Sequence, residues 1–167
     1  MKPIVLIGPP GAGKSTVGKA LAEQLSLEFL DTDTLIEQST GKSITDIFVV
    51  DGERAFRAIE FQILRTVLEK VDAIISLGGG APISDEAQKL ISDTDCQVVF
   101  LDISLSTAAP RVGFNRDRPL LLGNPRAQWQ ALSDQRRPIY EFLSDQTIKV
   151  DGLSVAEIVE AIKKGIQ

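Results

Sequence analysis

Gly8-Pro-Pro-Gly-Ala-Gly-Lys-Ser15 has the spacing G-x-x-x-x-G-K-[ST], and its residue types suit the holding of a metal-bound triphosphate. Glycines let the backbone curl so that its N–H groups point inward at phosphate oxygens. Lys14 supplies a mobile point charge for the outer phosphates, and the Ser15 hydroxyl can ligate the metal. The loop follows the apolar run Ile4–Ile7 and opens a helix-like pattern, whose N-terminal dipole adds positive potential. The implied ligand is a nucleoside triphosphate with magnesium.

Five further groups of residues carry possible chemistry. Asp31-Thr-Asp33 sets two carboxylates two residues apart. Alone they read as a turn and a helix cap. Beside a magnesium–nucleotide loop, one can hold a metal-bound water while the other orients an attacking hydroxyl or takes its proton. Arg57 and Glu60 have the spacing of a solvated ion pair on a helix, yet a guanidinium is also what a bidentate carboxylate clamp needs. Gly78-Gly-Gly80 follows an apolar run, and three glycines in a row are explained by a close backbone approach to a ligand better than by a turn. Arg111, Arg116 and Arg118, with Leu120-Leu-Leu122, suit a lid that closes on nucleotide and brings an arginine to the transferring phosphoryl group. In Arg136-Arg-Pro-Ile-Tyr140, one arginine can complete an anion pocket with Arg57; spacing does not say which.

The elements that must position these groups alternate strand and helix. Strands are predicted at Ile4–Ile7, Glu28–Asp31, Ala73–Ser76, Val98–Asp102 and Thr147–Val150. Helices are predicted over Thr16–Leu25, from a Thr34/Glu37 capping box to a stop at Gly41, and over Ser43–Val50, Glu53–Val71, Ser84–Ile91 and Ser104–Gly113. Two more run from Pro125 to about Leu143 and from a Ser154/Glu157 capping box to about Lys164. Five short apolar strands separated by helices imply an α/β fold, a parallel sheet covered on both faces. Ligands of such sheets bind beyond the carboxyl ends of the strands, where the glycine loop, Asp31, Asp33 and the triple glycine all fall. One domain over 1–167 is expected, with a lid at about 112–124 and a substrate-binding segment at about 32–61.

Composition narrows the chemistry. The absence of histidine rules out a His-based triad or a His metal site, and the single Cys96 rules out an intrachain disulfide. A general base must come from Asp, Glu, Lys, Tyr or water. The net charge of −5 argues against nucleic acid as the main partner. No apolar run reaches membrane-span length, and Met1-Lys-Pro-Ile lacks a signal-peptide pattern, so a cytoplasmic protein is expected. Trp129, the only tryptophan, follows the expected lid and is expected to report its movement.

Taken in order, these pieces closely resemble the shikimate kinases, small monomeric P-loop kinases of the nucleoside-monophosphate-kinase type. The match runs from Ile4 to about Val150. It rests on Gly8–Thr16, Phe29-Leu-Asp-Thr-Asp33, Gly52-Glu-Arg-Ala-Phe-Arg57 with Glu60, Gly78–Gly80, Arg118-Pro-Leu-Leu121 and Arg136-x-Pro-x-Tyr140. The resemblance implies a three-layer α/β/α fold and ATP-dependent phosphorylation of the 3-hydroxyl of shikimate, toward chorismate and the aromatic amino acids. It implies that Gly11, Ala12, Gly13, Lys14, Ser15 and Thr16 hold the ATP phosphates, that Ser15 binds Mg2+, and that Asp31 is its outer-sphere partner. Asp33 would bind the shikimate hydroxyls and take the proton. Arg57 and Arg136 would clamp the carboxylate, and Gly79 and Gly80 would offer N–H groups. Arg118 would meet the phosphates and Arg111 would pack on adenine.

Two other classes fit parts of the pattern. A P-loop kinase for gluconate or a nucleoside monophosphate shares the loop and lid, but two arginines with Asp33 and the triple glycine favour a carboxylated polyol. A non-catalytic ATP-responsive module need not keep Lys14, Ser15, Asp33 and Arg118 together. A GTPase lacks support, since no N-K-x-D signature is present.

Overall fold

The structure is a computed structural model that describes residues 1–113 and 124–166. Its strands are β1 (Ile4–Ile7), β2 (Glu28–Asp31), β3 (Ala73–Ser76), β4 (Gln97–Asp102) and β5 (Gln146–Lys149). All neighbours are parallel, in the order β2-β3-β1-β4-β5. Every residue of β1 and β3 is buried, which is why these strands read as continuous apolar runs rather than alternating ones. Successive β1 residues serve opposite faces. Ile4 and Leu6 join one core cluster, and Val5 and Ile7 the other.

The helices are α1 (Lys14–Leu25), α2 (Thr32–Thr40), α3 (Ile44–Asp46), α4 (Glu53–Leu68), α5 (Asp85–Asp93), α6 (Leu105–Val112), α7 (Pro125–Leu143) and α8 (Val155–Gly165). α1, α6 and α8 cover one face of the sheet, and α4 and α5 the other. α7 belongs to both layers, with Trp129 in the first cluster and Tyr140 in the second. A satellite cluster of Ile36, Ile47 and Phe56 fastens α2, the turn after α3, and α4 together. The chain runs from β1 to the β2–β3 side and later crosses to β4 and β5. The crevice beyond β1 is therefore the topological switch point, where such sheets bind ligands.

Boundaries differ from expectation where side chains found other partners. The Thr34/Glu37 capping box does not form. α2 starts three residues earlier, capped by Asp31, whose Oδ1 accepts the Thr34 N–H at 3.1 Å, while Glu37 Oε2 accepts the N–H of Ile44 at 3.2 Å. The segment after Ser43 widens into a π-type turn over Ile47–Asp51, closed by Gly52 N–H on the Ile47 carbonyl at 3.0 Å. α4 stops at Leu68, short of the exposed Val71. The Ser154/Glu157 capping box is present as expected. Cys96 is buried, and burial pushes its thiol up to about 11, so it is an inert filler. Among the described residues no helix is long and apolar enough to cross a membrane.

Candidate active site

The glycine loop leaves β1 and curls beneath α1. Its carbonyls are taken by the protein itself. Lys14 Nζ donates to the carbonyls of Gly8 at 2.8 Å and Pro9 at 3.0 Å, Trp129 Nε1 to that of Pro10 at 3.0 Å, and an Arg111 Nη to that of Gly11 at 3.2 Å. With these carbonyls engaged, and the Ala12 N–H on the Pro9 carbonyl at 3.2 Å, the loop's other N–H groups are left for an anion. Lys14 is 9% exposed, and its pKa is lowered to about 8. Burial is the main cause; the carboxylates of Asp33 and Asp31 oppose it, and Arg136 adds to it.

Gly11, Ala12, Gly13, Lys14, Ser15, Thr16, Asp31, Asp33, Gly79 and Arg111 line one cavity of about 650 Å³. Leu153, Val155 and Ile158 close its far side. These three lie beyond the segment that sequence reasoning carried into the site. Their one signal is apolar residues flanking a capping box, and Leu153 and Val155 are exposed, as a partner for a flat aromatic ring must be. Arg111 lines the same cavity, against Gly11 and Gly13. Trp129 is buried against the loop rather than facing solvent.

The Ser15 hydroxyl donates to Asp31 Oδ2, which brings two hard oxygen donors together at the first turn of α1. That donor set fits Mg2+, which takes few protein oxygens and completes its shell with phosphate and water. Among the described residues no group of three or more acidic, His or Cys side chains forms a closed metal cage.

The triple glycine has a direct steric explanation. A Cβ at Gly78 would lie 2.7 Å from Asp33 Oδ1 and one at Gly80 2.5 Å from Arg57 Nη1, while one at Gly79 would crowd Pro10 Cδ at 3.1 Å with Arg136 Nη1 in ordinary contact at 3.4 Å. Three functional side chains from three helices thus rest on three successive glycines. The close approach expected here is made first by the protein's own side chains. Thr32, fully buried, fixes the start of the turn by accepting the Gly78 N–H at 3.0 Å. Among the described residues the Gly79 and Gly80 N–H groups have no backbone acceptor.

Arg57, Gly80 and Arg136 line a second cavity of about 360 Å³, which starts where the first one ends. Arg57 Nη1 donates to Glu60 Oε1 at 2.7 Å. This is not a solvated surface pair: Glu60 is 4% exposed, and burial raises its pKa against the opposing pull of Arg57. The pair holds the guanidinium against the glycines. Arg137 is committed elsewhere, bonding Asp102 through both Nη atoms at 2.9 and 2.5 Å and stacking on Phe100. Arg136 is therefore the arginine that faces the cavity. Asp33 is half-buried in the first turn of α2, and its pKa is raised, chiefly by burial and next by the charge of Asp31.

Of the basic segment, Arg111 lines the first cavity. Arg116, Arg118 and Leu120–Leu122 lie outside the described residues. At the edges of the expected lid at 112–124, Val112 ends α6 inside the core, Gly113 caps it, and Asn124 caps α7.

Comparison with known proteins gives one answer. A family model described as shikimate kinase matches residues 10–167. The chain is 46% identical to a shikimate kinase of Rhodococcus erythropolis over 100% of this chain and 99% of that one. It is also 46% identical to one of Thermobifida fusca over 96% and 92%. The solved shikimate kinase from Acinetobacter baumannii in complex with shikimate matches with a TM-score of 0.93 at 33% identity, covering 99% of this chain and 93% of that one. The Aquifex aeolicus shikimate kinase gives 0.85 at 34% identity, covering 98% and 95%. A deoxyadenosine kinase from M. mycoides, at 20% identity and a TM-score of 0.64, covers 98% of this chain and 97% of that one and shares the fold alone. Near-complete coverage at this identity, on a site with this geometry, establishes that the chain belongs to the shikimate kinase family.

Proposed function

We propose that the chain transfers the terminal phosphoryl group of ATP to the 3-hydroxyl of shikimate, giving ADP and shikimate 3-phosphate, a step in aromatic amino-acid biosynthesis. The observation that carries this reading is the row of Asp33, Arg136 and Arg57 on Gly78, Gly79 and Gly80, at the seam between the phosphate loop and the arginine-lined cavity. Two arginines beside one carboxylate match a small acid that also carries hydroxyls.

In this reading Arg57 and Arg136 hold the shikimate carboxylate by charge-assisted hydrogen bonds. Glu60 fixes Arg57, and the Gly79 and Gly80 N–H groups add donors. Asp33 orients the 3-hydroxyl and accepts its proton as the oxygen bonds to phosphorus and the bond to the ADP oxygen breaks. A carboxylate with a raised pKa is the better base for that task. Gly11 to Thr16 cradle the phosphates, and the Lys14 ammonium leaves the Gly8 and Pro9 carbonyls for phosphate oxygens. Leu153 and Val155 pack with Arg111 around the adenine. When bound, Mg2+ would be held by Ser15, with Asp31 behind it, and would neutralise phosphate charge. Arg118 is assigned to the transferring phosphoryl group on sequence resemblance. The protein mainly aligns two reactants and balances charge.

The same reading makes residues 1–167 a single catalytic domain, active as a cytoplasmic monomer with no nucleic-acid or membrane partner. A coupled ADP-release assay across shikimate, gluconate and nucleoside monophosphates tests it. Turnover is expected with shikimate; turnover with another acceptor and none with shikimate would overturn it.

A further inference from the structure

α7 passes from one face of the sheet to the other, close to the carboxyl ends of the strands. Its residues Trp129, Ser133, Arg136 and Tyr140 are spaced four, three and four apart, the spacing of one helix face. Trp129, Ser133 and Tyr140 are buried and Arg136 half-buried. The two aromatic side chains at the ends of this face each carry one hydrogen-bond donor. Both donors end on backbone carbonyls of ligand-binding turns: Trp129 Nε1 on Pro10 at 3.0 Å and Tyr140 OH on Gly79 at 2.6 Å. Burial raises the Tyr140 pKa above its ordinary 10.0, so its hydroxyl stays a donor across the physiological range.

A trans peptide is planar, so its carbonyl and the N–H of the next residue point in opposite directions. No cis peptide is present among the described residues. Drawing the Pro10 carbonyl toward α7 turns the Gly11 N–H away from the helix, and drawing the Gly79 carbonyl toward it does the same for the Gly80 N–H. Gly11 lines the phosphate cavity and Gly80 the arginine-lined one. Both planes precede a glycine, and Gly11 has φ +85°. Glycine accepts either sign of φ at little cost, so neither plane is fixed by its own backbone.

We propose that Trp129 and Tyr140 are positioning residues through which one helix sets the donor direction of Gly11 for the nucleotide and of Gly80 for the acceptor. Arg136, between them on the same face and lining the second cavity, also hydrogen-bonds the Tyr140 side chain, so the Gly80 amide resonance, not the shikimate KM alone, reads the peptide's direction. The inference rests on the assignment of ATP and shikimate to these cavities.

Two near-isosteric deletions test it. Because Trp129 is the only tryptophan, growth on β-(3-benzothienyl)alanine replaces its N–H with sulfur at that one place. Tyr140→Phe removes the other donor. The tryptophan analogue is expected to raise the KM for ATP about five- to tenfold with the shikimate KM within about twofold, and Tyr140→Phe to do the reverse. The amide resonance of Gly11 should shift in the first protein and that of Gly80 in the second, a readout independent of turnover. Either arm decides if the other protein fails to fold. Lowered thermal midpoints with both KM values and both amide resonances unchanged would show a merely structural role and overturn the inference. Absence of turnover with shikimate in the unaltered protein would instead overturn the functional assignment, with the amide shifts still reading this one.

Discussion

The guanidinium of Arg57 occupies the place where a side chain at Gly80 would begin, 2.5 Å from Nη1 to a Cβ at that position. The obstacle is the end of a flexible side chain rather than backbone. Gly80→Ala is therefore expected to fold normally while displacing Arg57, raising the shikimate KM about ten- to hundredfold with the ATP KM unchanged. At Gly8 the same change meets the Leu101 carbonyl at a φ of +145°, so Gly8→Ala should instead lower the melting temperature. Steady-state kinetics and thermal melts on the two variants separate these outcomes.

Adjacent arginines on α7 should fail in different ways. Arg136→Ala removes a cavity-lining cation whose hydrogen-bond partner Tyr140 keeps a second bond to the Gly79 carbonyl, and is expected to raise the shikimate KM about ten- to hundredfold at near-normal stability. Arg137→Ala strands Asp102, which is 9% exposed, and should cost about 1–3 kcal/mol of stability with the shikimate KM little changed. Denaturant melts beside kinetics check both; a KM effect confined to Arg137→Ala would reverse the assignment.

Spacing alone left that choice between two arginines open. What decided it was the Asp102 carboxylate, some 35 positions away in sequence, which only the fold brings to Arg137. The inner strands β1, β3 and β4 were legible because buried parallel strands must be continuous apolar runs, and the observed ranges of all five match expectation to within a residue or so. The phosphate loop was legible because its chemistry is local. Local patterns misled where a side chain reached outside its own turn, as Glu37 does to Ile44, and where two caps competed, Asp31 winning over Thr34. The burial of Glu60 was hidden because i,i+3 spacing cannot tell a solvated pair from a buried one. Leu153 and Val155 were missed because two apolar residues flanking a helix cap carry no signature until β5 and α8 place them on the nucleotide cavity.

Asp33 is expected to be indispensable to turnover and unhelpful to stability. Its raised pKa means that the folded state binds the proton more tightly than the unfolded one, so its charge costs stability at neutral pH and the cost is relieved as pH falls. Asp33→Asn should keep ATP binding, lower kcat about 10²–10⁴-fold, and leave stability equal or up to about 1 kcal/mol higher. In the unaltered enzyme kcat/KM should fall as pH drops through a pKa above the ordinary 3.8. Near-normal kcat in the variant would remove Asp33 from the chemistry.

Lys14 links ATP binding to protons. Burial holds its pKa at about 8, and a triphosphate beside it favours the ammonium, so binding takes up a proton. At pH 8 the uptake should be roughly half a proton per ATP, and affinity should weaken as pH rises further. Without nucleotide, the unfolded chain binds more protons than the folded one between about 8 and 10.5, so this group's contribution makes stability rise with pH in that window. Calorimetry in buffers of different ionisation enthalpy measures the uptake; none between pH 7 and 9 would contradict the assignment.

A crystal structure with shikimate and a non-hydrolysable ATP analogue bound together tests the account most directly. The account predicts phosphates on Gly11 to Thr16, the shikimate carboxylate on Arg57 and Arg136, and Asp33 against the 3-hydroxyl, facing the terminal phosphate. Two ligands on separate surfaces, with Asp33 touching neither, would contradict it.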